Sequence, residues 1–164
     1  MKKILTLAYL LTNDTICLAV KKRGFGEGNW NGYGGKVEEG ETIEEAVVRE
    51  ISEESGVFVA AGDLEKIAII EFFFKDGGHL EVHTFFVRTW NGEPVETEEM
   101  KPQWFLYSDI PYENMWADDV HWLPRALQGE RLWGKVWFKE DGKSIETMAW
   151  EPLITIPVNR TSDE

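Results

Sequence analysis

Apolar and polar residues recur along this chain with two different periods, and the switches between them delimit its elements. Ile4–Leu11 and Ile16–Lys21 read as strands joined through Asn13-Asp14. Lys66–Phe74 and Leu80–Trp90 flank Asp76-Gly77-Gly78, a hairpin signal, and Asn91-Gly92 marks the next turn. Trp104–Tyr107 reads as a short strand ending before Pro111, and Trp133–Lys139 with Ser144–Trp150 as a last hairpin around Asp141-Gly142. Residues 42–55 instead follow a helical period. Thr42-Ile43-Glu44-Glu45 is a capping box, and Gly56 suits a left-handed stop. A second helix is expected over Asp118–Gln128, with Asp118 or Asp119 near its N-cap and Pro124 disturbing it. One clear helix among many strands predicts an α+β or mixed α/β fold. There is no repeat and no linker, so one domain is expected over 1–164, with a polar tail from about 159 to 164.

Two segments break the pattern. Gly24–Gly40 holds seven of the 15 glycines and reads as a long irregular loop, a kind of segment that compact domains usually keep for function. The helix carries the second anomaly. Ile43, Ala46, Val47 and Ile51 form an apolar stripe. With Ile43 at zero, Glu50 falls at about 340°, Glu54 at about 20° and Glu53 at about 280°. These acids continue the apolar stripe instead of opposing it. A solvated charged face is the ordinary explanation for a Glu-rich helix. Here the geometry argues against it, because burying carboxylates is costly and the helix C-terminal end also disfavours anions. Arg49 offsets one charge, and a cation would offset more. All-oxygen ligands select a hard ion, Mg²⁺ or Mn²⁺.

Composition narrows the picture. The 43% hydrophobic and 13% aromatic content excludes a disordered chain. The net charge of −13 argues against binding to nucleic-acid polymers or to anionic membrane, though a bound cation can bridge such a protein to a small polyphosphate. Cys17 alone supports neither a disulfide framework nor a Cys-rich zinc site, and in an apolar strand it should be inert. His79, His83 and His121 lack metal-site spacing and read as structural. The opening MKKILTLAYLLTND faintly imitates a signal peptide but has no small-residue cleavage pattern, so it reads as the first strand. A soluble cytoplasmic protein is the default expectation. No GxxxxGK[ST] or GxGxxG is present to cradle phosphates.

From Gly35, five residues lead to Glu41, seven more to Arg49-Glu50-Ile51, and Ser52 then precedes Glu53-Glu54-Ser55-Gly56-Val57. This resembles the complete Nudix box, G-x5-E-x7-R-E-U-x-E-E-x-G-U with U aliphatic, a far more specific signal than a lone glycine motif. The resemblance implies the Nudix fold, a mixed sheet sandwiched between helices, and hydrolysis of a nucleoside diphosphate linked to another moiety. It also implies that Glu50, Glu53 and Glu54 hold Mg²⁺, joined by the Gly35 carbonyl, with Glu54 or Glu53 as general base and Arg49 orienting the glutamates. The stretches EVHTFF, EEMKPQWF and MWADDVHWLP, together with the sequence around the box, are similar to the branch of that family that hydrolyses oxidised purine nucleoside triphosphates. That likeness runs to about Trp150. It implies base reading by Asn31, Asp118 and Asp119, stacking on Trp116, pocket positions at Thr6, Lys21 and Phe25, and an acid near the metal at Glu99. Ile70, Phe72 and Leu80 are further pocket candidates.

Each of these residues also has a plainer reading. Asn31 suits a turn, an N-cap explains one of the two aspartates, Trp116 could be filler, and Lys36 or Arg49 could touch phosphate or only neutralise acids. The expected reaction is Mg²⁺-dependent hydrolysis of a modified purine nucleoside triphosphate to monophosphate and pyrophosphate by a monomer. A protonated aspartate in the pair would offer both donor and acceptor, and so admit both oxidised guanine and oxidised adenine. The alternatives are a Nudix hydrolase of another nucleoside diphosphate derivative, such as a nucleotide sugar or dinucleoside polyphosphate, and a non-catalytic nucleotide-binding domain.

Overall fold

A computed structural model describes residues 1–154, and the expected polar tail at 159–164 lies outside the described residues. Two sheets carry the fold. The larger has the order β1-β5-β4-β7-β8, formed by Lys2–Leu10 (β1), His79–Val87 (β5), Leu64–Phe73 (β4), Leu132–Phe138 (β7) and Ile145–Pro152 (β8). Its pairings alternate: β1 is parallel to β5, β5 antiparallel to β4, β4 parallel to β7, and β7 antiparallel to β8. The smaller sheet is antiparallel with the order β3-β2-β6, formed by Trp30–Asn31 (β3), Thr15–Lys21 (β2) and Met100–Leu106 (β6).

The first helix, α1 (Ile43–Ser55), starts as the sequence dictates. Thr42 accepts from the Glu45 amide at 3.1 Å, the Glu45 carboxylate accepts from the Thr42 amide at 2.9 Å, and Gly56 ends the helix at φ 79°. Its Val47 and Ile51 pack with Ala8, Leu10, Phe85 and Val87. The second helix, α2 (Asp119–Leu127), drives Trp122, Leu123 and Ala126 among Tyr9, Leu11, Ile67 and Phe86. The sheet is therefore covered on both faces, which is the expected sandwich. No helix among the described residues is long and apolar enough to cross a membrane.

Three expectations need correction. The strand expected at Trp104–Tyr107 begins at Met100 and contains Pro102. β6 is an edge strand, so the missing Pro102 N–H costs no ladder bond. The glycine-rich segment is not wholly irregular, because it contributes β3 and pairs with β1 through Thr6 N to Gly35 O (2.8 Å) and Ala8 N to Tyr33 O (2.6 Å). α2 runs through Pro124, which forfeits one hydrogen bond while the buried Trp122, Leu123 and Ala126 hold the helix in place.

Candidate active site

A pocket of about 250 Å³ opens between the two sheets and α2. Period-two alternation builds its walls: Leu5 and Leu7 from β1, Ile70 and Phe72 from β4 with Phe74 just beyond, and Leu80, Val82 and Thr84 from β5. The candidates Thr6, Lys21, Phe25, Asn31, Trp116, Asp118 and Asp119 all line this one cavity, as do Ile70, Phe72 and Leu80. Asn29, Phe74, Val82, Thr84, Trp122 and Phe138 line it too and were missed by the sequence reading. For Phe74, Val82 and Thr84 the signal was available, since each continues the alternation of a neighbour already named. Asn29 offered none beyond its place in a glycine-rich run.

One end of the pocket is polar and buried. Asp118 and Asp119 are 2% and 3% exposed. The expected N-cap bond is absent, because neither carboxylate caps α2. Instead the Trp122 indole donates to Asp118 Oδ2 at 2.9 Å. Burial raises both carboxyls above the usual carboxylate range, and the neighbouring Asp118 charge pushes Asp119 further. The indole bond draws against that rise. Asn31 spends its side-chain oxygen on the Gly32 amide at 2.9 Å, as a turn residue does, and this leaves its amide hydrogens for the pocket. Trp116 stacks on Phe25 at 5.3 Å and 26°, and Phe25 is 79% exposed, so the pair forms an aromatic rim at the mouth.

At the other end stands the acidic helix. Glu54 lines the pocket and accepts from the Gly34 amide at 2.9 Å. Burial pushes its carboxyl up to about 8, with Glu50 and Glu99 adding repulsion and Lys21 relieving part of it. Glu50 is likewise raised by burial and drawn down by Arg49. The Arg49 guanidinium donates to Glu41 (2.6 and 3.0 Å), Glu50 (3.1 Å), Glu53 (3.2 Å) and the Lys36 carbonyl (3.0 Å). The helical wheel erred on Glu53. Its side chain is 59% exposed and turned to Arg49, against 15% for Glu50, because its position lies at the edge of the buried stripe. The three glutamates do not form a closed cage, and among the described residues no group of three metal-binding side chains does. The Gly35 carbonyl accepts from the Thr6 amide and hydroxyl at 2.8 and 3.3 Å, and Glu99 sits exposed just before β6.

These residues nevertheless fit a hard divalent ion. The donors are all oxygen, the half-buried carboxylates repel one another, and Gly35 leaves room beside Glu50 that a Cβ would fill. Elsewhere, burial pushes the Cys17 thiol up to about 11, consistent with an inert core residue. His83 bridges Lys66 and Glu81 (2.9 and 2.6 Å), away from the pocket.

The NUDIX domain model matches residues 1–126. The oxidized purine nucleoside triphosphate hydrolase of Danio rerio is 46% identical over 144 residues, covering 87% of this chain and 90% of the relative. That of Mus musculus is 44% identical over 139 residues, covering 84% and 88%. Among solved structures, the MutT protein of Bacillus halodurans superposes with a TM-score of 0.80 at 26% identity, over 93% of this chain and 99% of that one.

Proposed function

This chain belongs to the Nudix hydrolase family, and from that premise we propose that it hydrolyses oxidised purine nucleoside triphosphates to the monophosphate and pyrophosphate, using Mg²⁺. One observation carries the reading. A single cavity joins a buried hydrogen-bonding end, Asn31 with Asp118 and Asp119, to a carboxylate end at Glu54. The first suits a purine edge, and the second suits the phosphates.

Apolar walls exclude water around the base, so an incorrect base leaves polar groups unpaired. One proton shared by Asp118 and Asp119 gives the pair both a donor and an acceptor, which lets it meet bases of opposite donor pattern. The Phe25–Trp116 rim stacks on the base at the mouth. Lys21, beside Glu54, faces the phosphates. Glu50, Glu53 and Glu54, with Glu99 and the Gly35 carbonyl, would hold the ion, and Arg49 orients the glutamates. When bound, the ion neutralises phosphate charge and lowers the pKa of the attacking water. Glu54 or Glu53 takes the proton of that water. The protein acts as a monomer of one domain spanning 1–164.

The test is kcat/KM for a panel of normal and oxidised purine and pyrimidine triphosphates, nucleotide sugars and dinucleoside polyphosphates, with products identified. Preference for oxidised purines with pyrophosphate release supports the reading. A preference for a nucleotide sugar or dinucleoside polyphosphate refutes it.

A further inference from the structure

The deep end of the base pocket holds more polar chemistry than the aspartate pair uses. Three oxygens there are buried with no partner among the described residues: the Tyr9 hydroxyl, Thr84 Oγ1 and Asp119 Oδ2. Tyr9 and Thr84 are fully buried. The parallel β1–β5 register sets Leu7 opposite Thr84 and Tyr9 opposite Phe86. Leu7 and Thr84 line the pocket, and alternation places Tyr9 one step further along the same face. The Tyr9 ring packs 6.2 Å from Trp122, whose indole holds Asp118, and both aspartates act electrostatically on the phenol. Phe and Val would fill the same volumes without polar atoms. Leaving the two hydroxyls unmatched is unfavourable, so their burial beside the pocket and its aspartates points to a hydrogen-bonding role.

We propose that Tyr9 and Thr84 are specificity-determining residues of the base pocket, their hydroxyls supplying, through one buried water, the hydrogen bonds that orient Asp119 toward the purine. The inference rests on the base-reading role proposed for Asp119. A hydrogen bond relayed by that water to Asp119 Oδ2 leaves the other oxygen of that carboxyl for the base. It also favours moving the shared proton toward Asp118. The two hydroxyls therefore bias whether Asp119 meets the purine as acceptor or as donor. A base presenting an acceptor and a base presenting a donor respond in opposite directions. The other titratable groups facing this cluster are Asp118, Tyr112 and, beside Asp118, His121.

The experiment compares wild type with Tyr9→Phe, Thr84→Val, the double variant, and Thr84→Ser, which retains the hydroxyl. It reads the ratio of kcat/KM for 8-oxo-dGTP over 2-oxo-dATP, the pH profile of kcat/KM, and thermal stability. The expected result is a ratio altered about 5-fold or more in the double variant, the size of one lost hydrogen bond, with a displaced pH limb. Thr84→Ser should keep the wild-type ratio, and the folded variants should melt no more than a few degrees below wild type. If Tyr9→Phe fails to fold, the contrast between Thr84→Val and Thr84→Ser decides. Folded variants with an unchanged ratio and profile, on an active wild type, overturn this proposal and leave base reading by Asp119 intact. A wild type that hydrolyses neither nucleotide overturns the base-reading role and this inference with it.

Discussion

Gly35→Ala is the sharpest probe of the carboxylate end, because the structure separates its effect on the fold from its effect on the chemistry. A Cβ at Gly35 would overlap the Glu50 carboxylate, standing 2.6 Å from its Cδ. Ordinary contact needs about 3.5 Å, so the carboxylate must retreat by about 1 Å. The atoms that must yield are the far end of a flexible side chain, and Gly35 has no left-handed backbone conformation to defend. The strain is then partly offset by the ~0.4–1 kcal/mol that Gly→Ala gains through the unfolded chain. Stability should change by no more than about 1 kcal/mol. Catalysis should suffer far more, since ~1 Å of misplacement in a reacting constellation costs about 10²-fold. Gly34→Ala supplies the contrast. Its Cβ would meet backbone, 2.7 Å from the Thr6 carbonyl carbon and 2.9 Å from Leu7 Cα, which cannot move aside without parting the loop from β1. It should cost about 3 kcal/mol or more, as overpacking against fixed atoms does. The assays are kcat at saturating nucleotide across a Mg²⁺ titration, and thermal denaturation without metal. A folded Gly35→Ala protein with wild-type kcat and an unchanged Mg²⁺ requirement would refute the reasoning, and would remove Glu50 from the reacting centre.

Glu54→Gln should lower kcat by about 10² or more for every substrate alike, while the metal-free protein melts no lower than wild type. Near-normal turnover would return Glu54 to a structural role. Asn31→Ala and Asp119→Ala should instead act selectively, cutting kcat/KM for oxidised purines about 5- to 150-fold and sparing a poor pyrimidine substrate. An equal loss on all substrates would make them scaffold residues. Activity should vanish in excess chelator and return with Mg²⁺, and persistence in chelator would end the metal assignment. Asp119→Asn should stabilise the protein increasingly as pH rises above about 4, because a carboxyl raised by burial withdraws stability once the unfolded chain ionises. Parallel melting curves of variant and wild type from pH 5 to pH 8 would contradict that.

Most elements were legible in the sequence because local chemistry dictated them. The capping box and Gly56 bounded α1, and period-two runs marked the strands of the larger sheet. What escaped was set by partners far along the chain. β3 exists only because Trp30 and Asn31 find Val20 and Ala19, and the first half of β6 only because an edge position tolerates Pro102. A helical wheel assigns an angle but not a neighbour, so it could not foresee that Glu53 would pair with Arg49. Nor could any motif reveal Tyr9 and Thr84 as polar atoms on an otherwise apolar floor. In sequence they are one aromatic and one β-branched residue in strands that favour both.

The Arg49 guanidinium divides its bonds unevenly, and that division makes the carboxylate end a parking place. Glu41 occupies Nε and Nη2, while Glu50 and Glu53 share Nη1 alone. Should Glu50 and Glu53 turn from it toward a bound cation, the arginine would keep its two-point mooring on Glu41 and its hold on the Lys36 carbonyl. Binding of a cation would then be a swap of counter-ions on a standing frame. A lysine at this position, a single point charge, could moor to Glu41 or hold the two vacated acids, but not both.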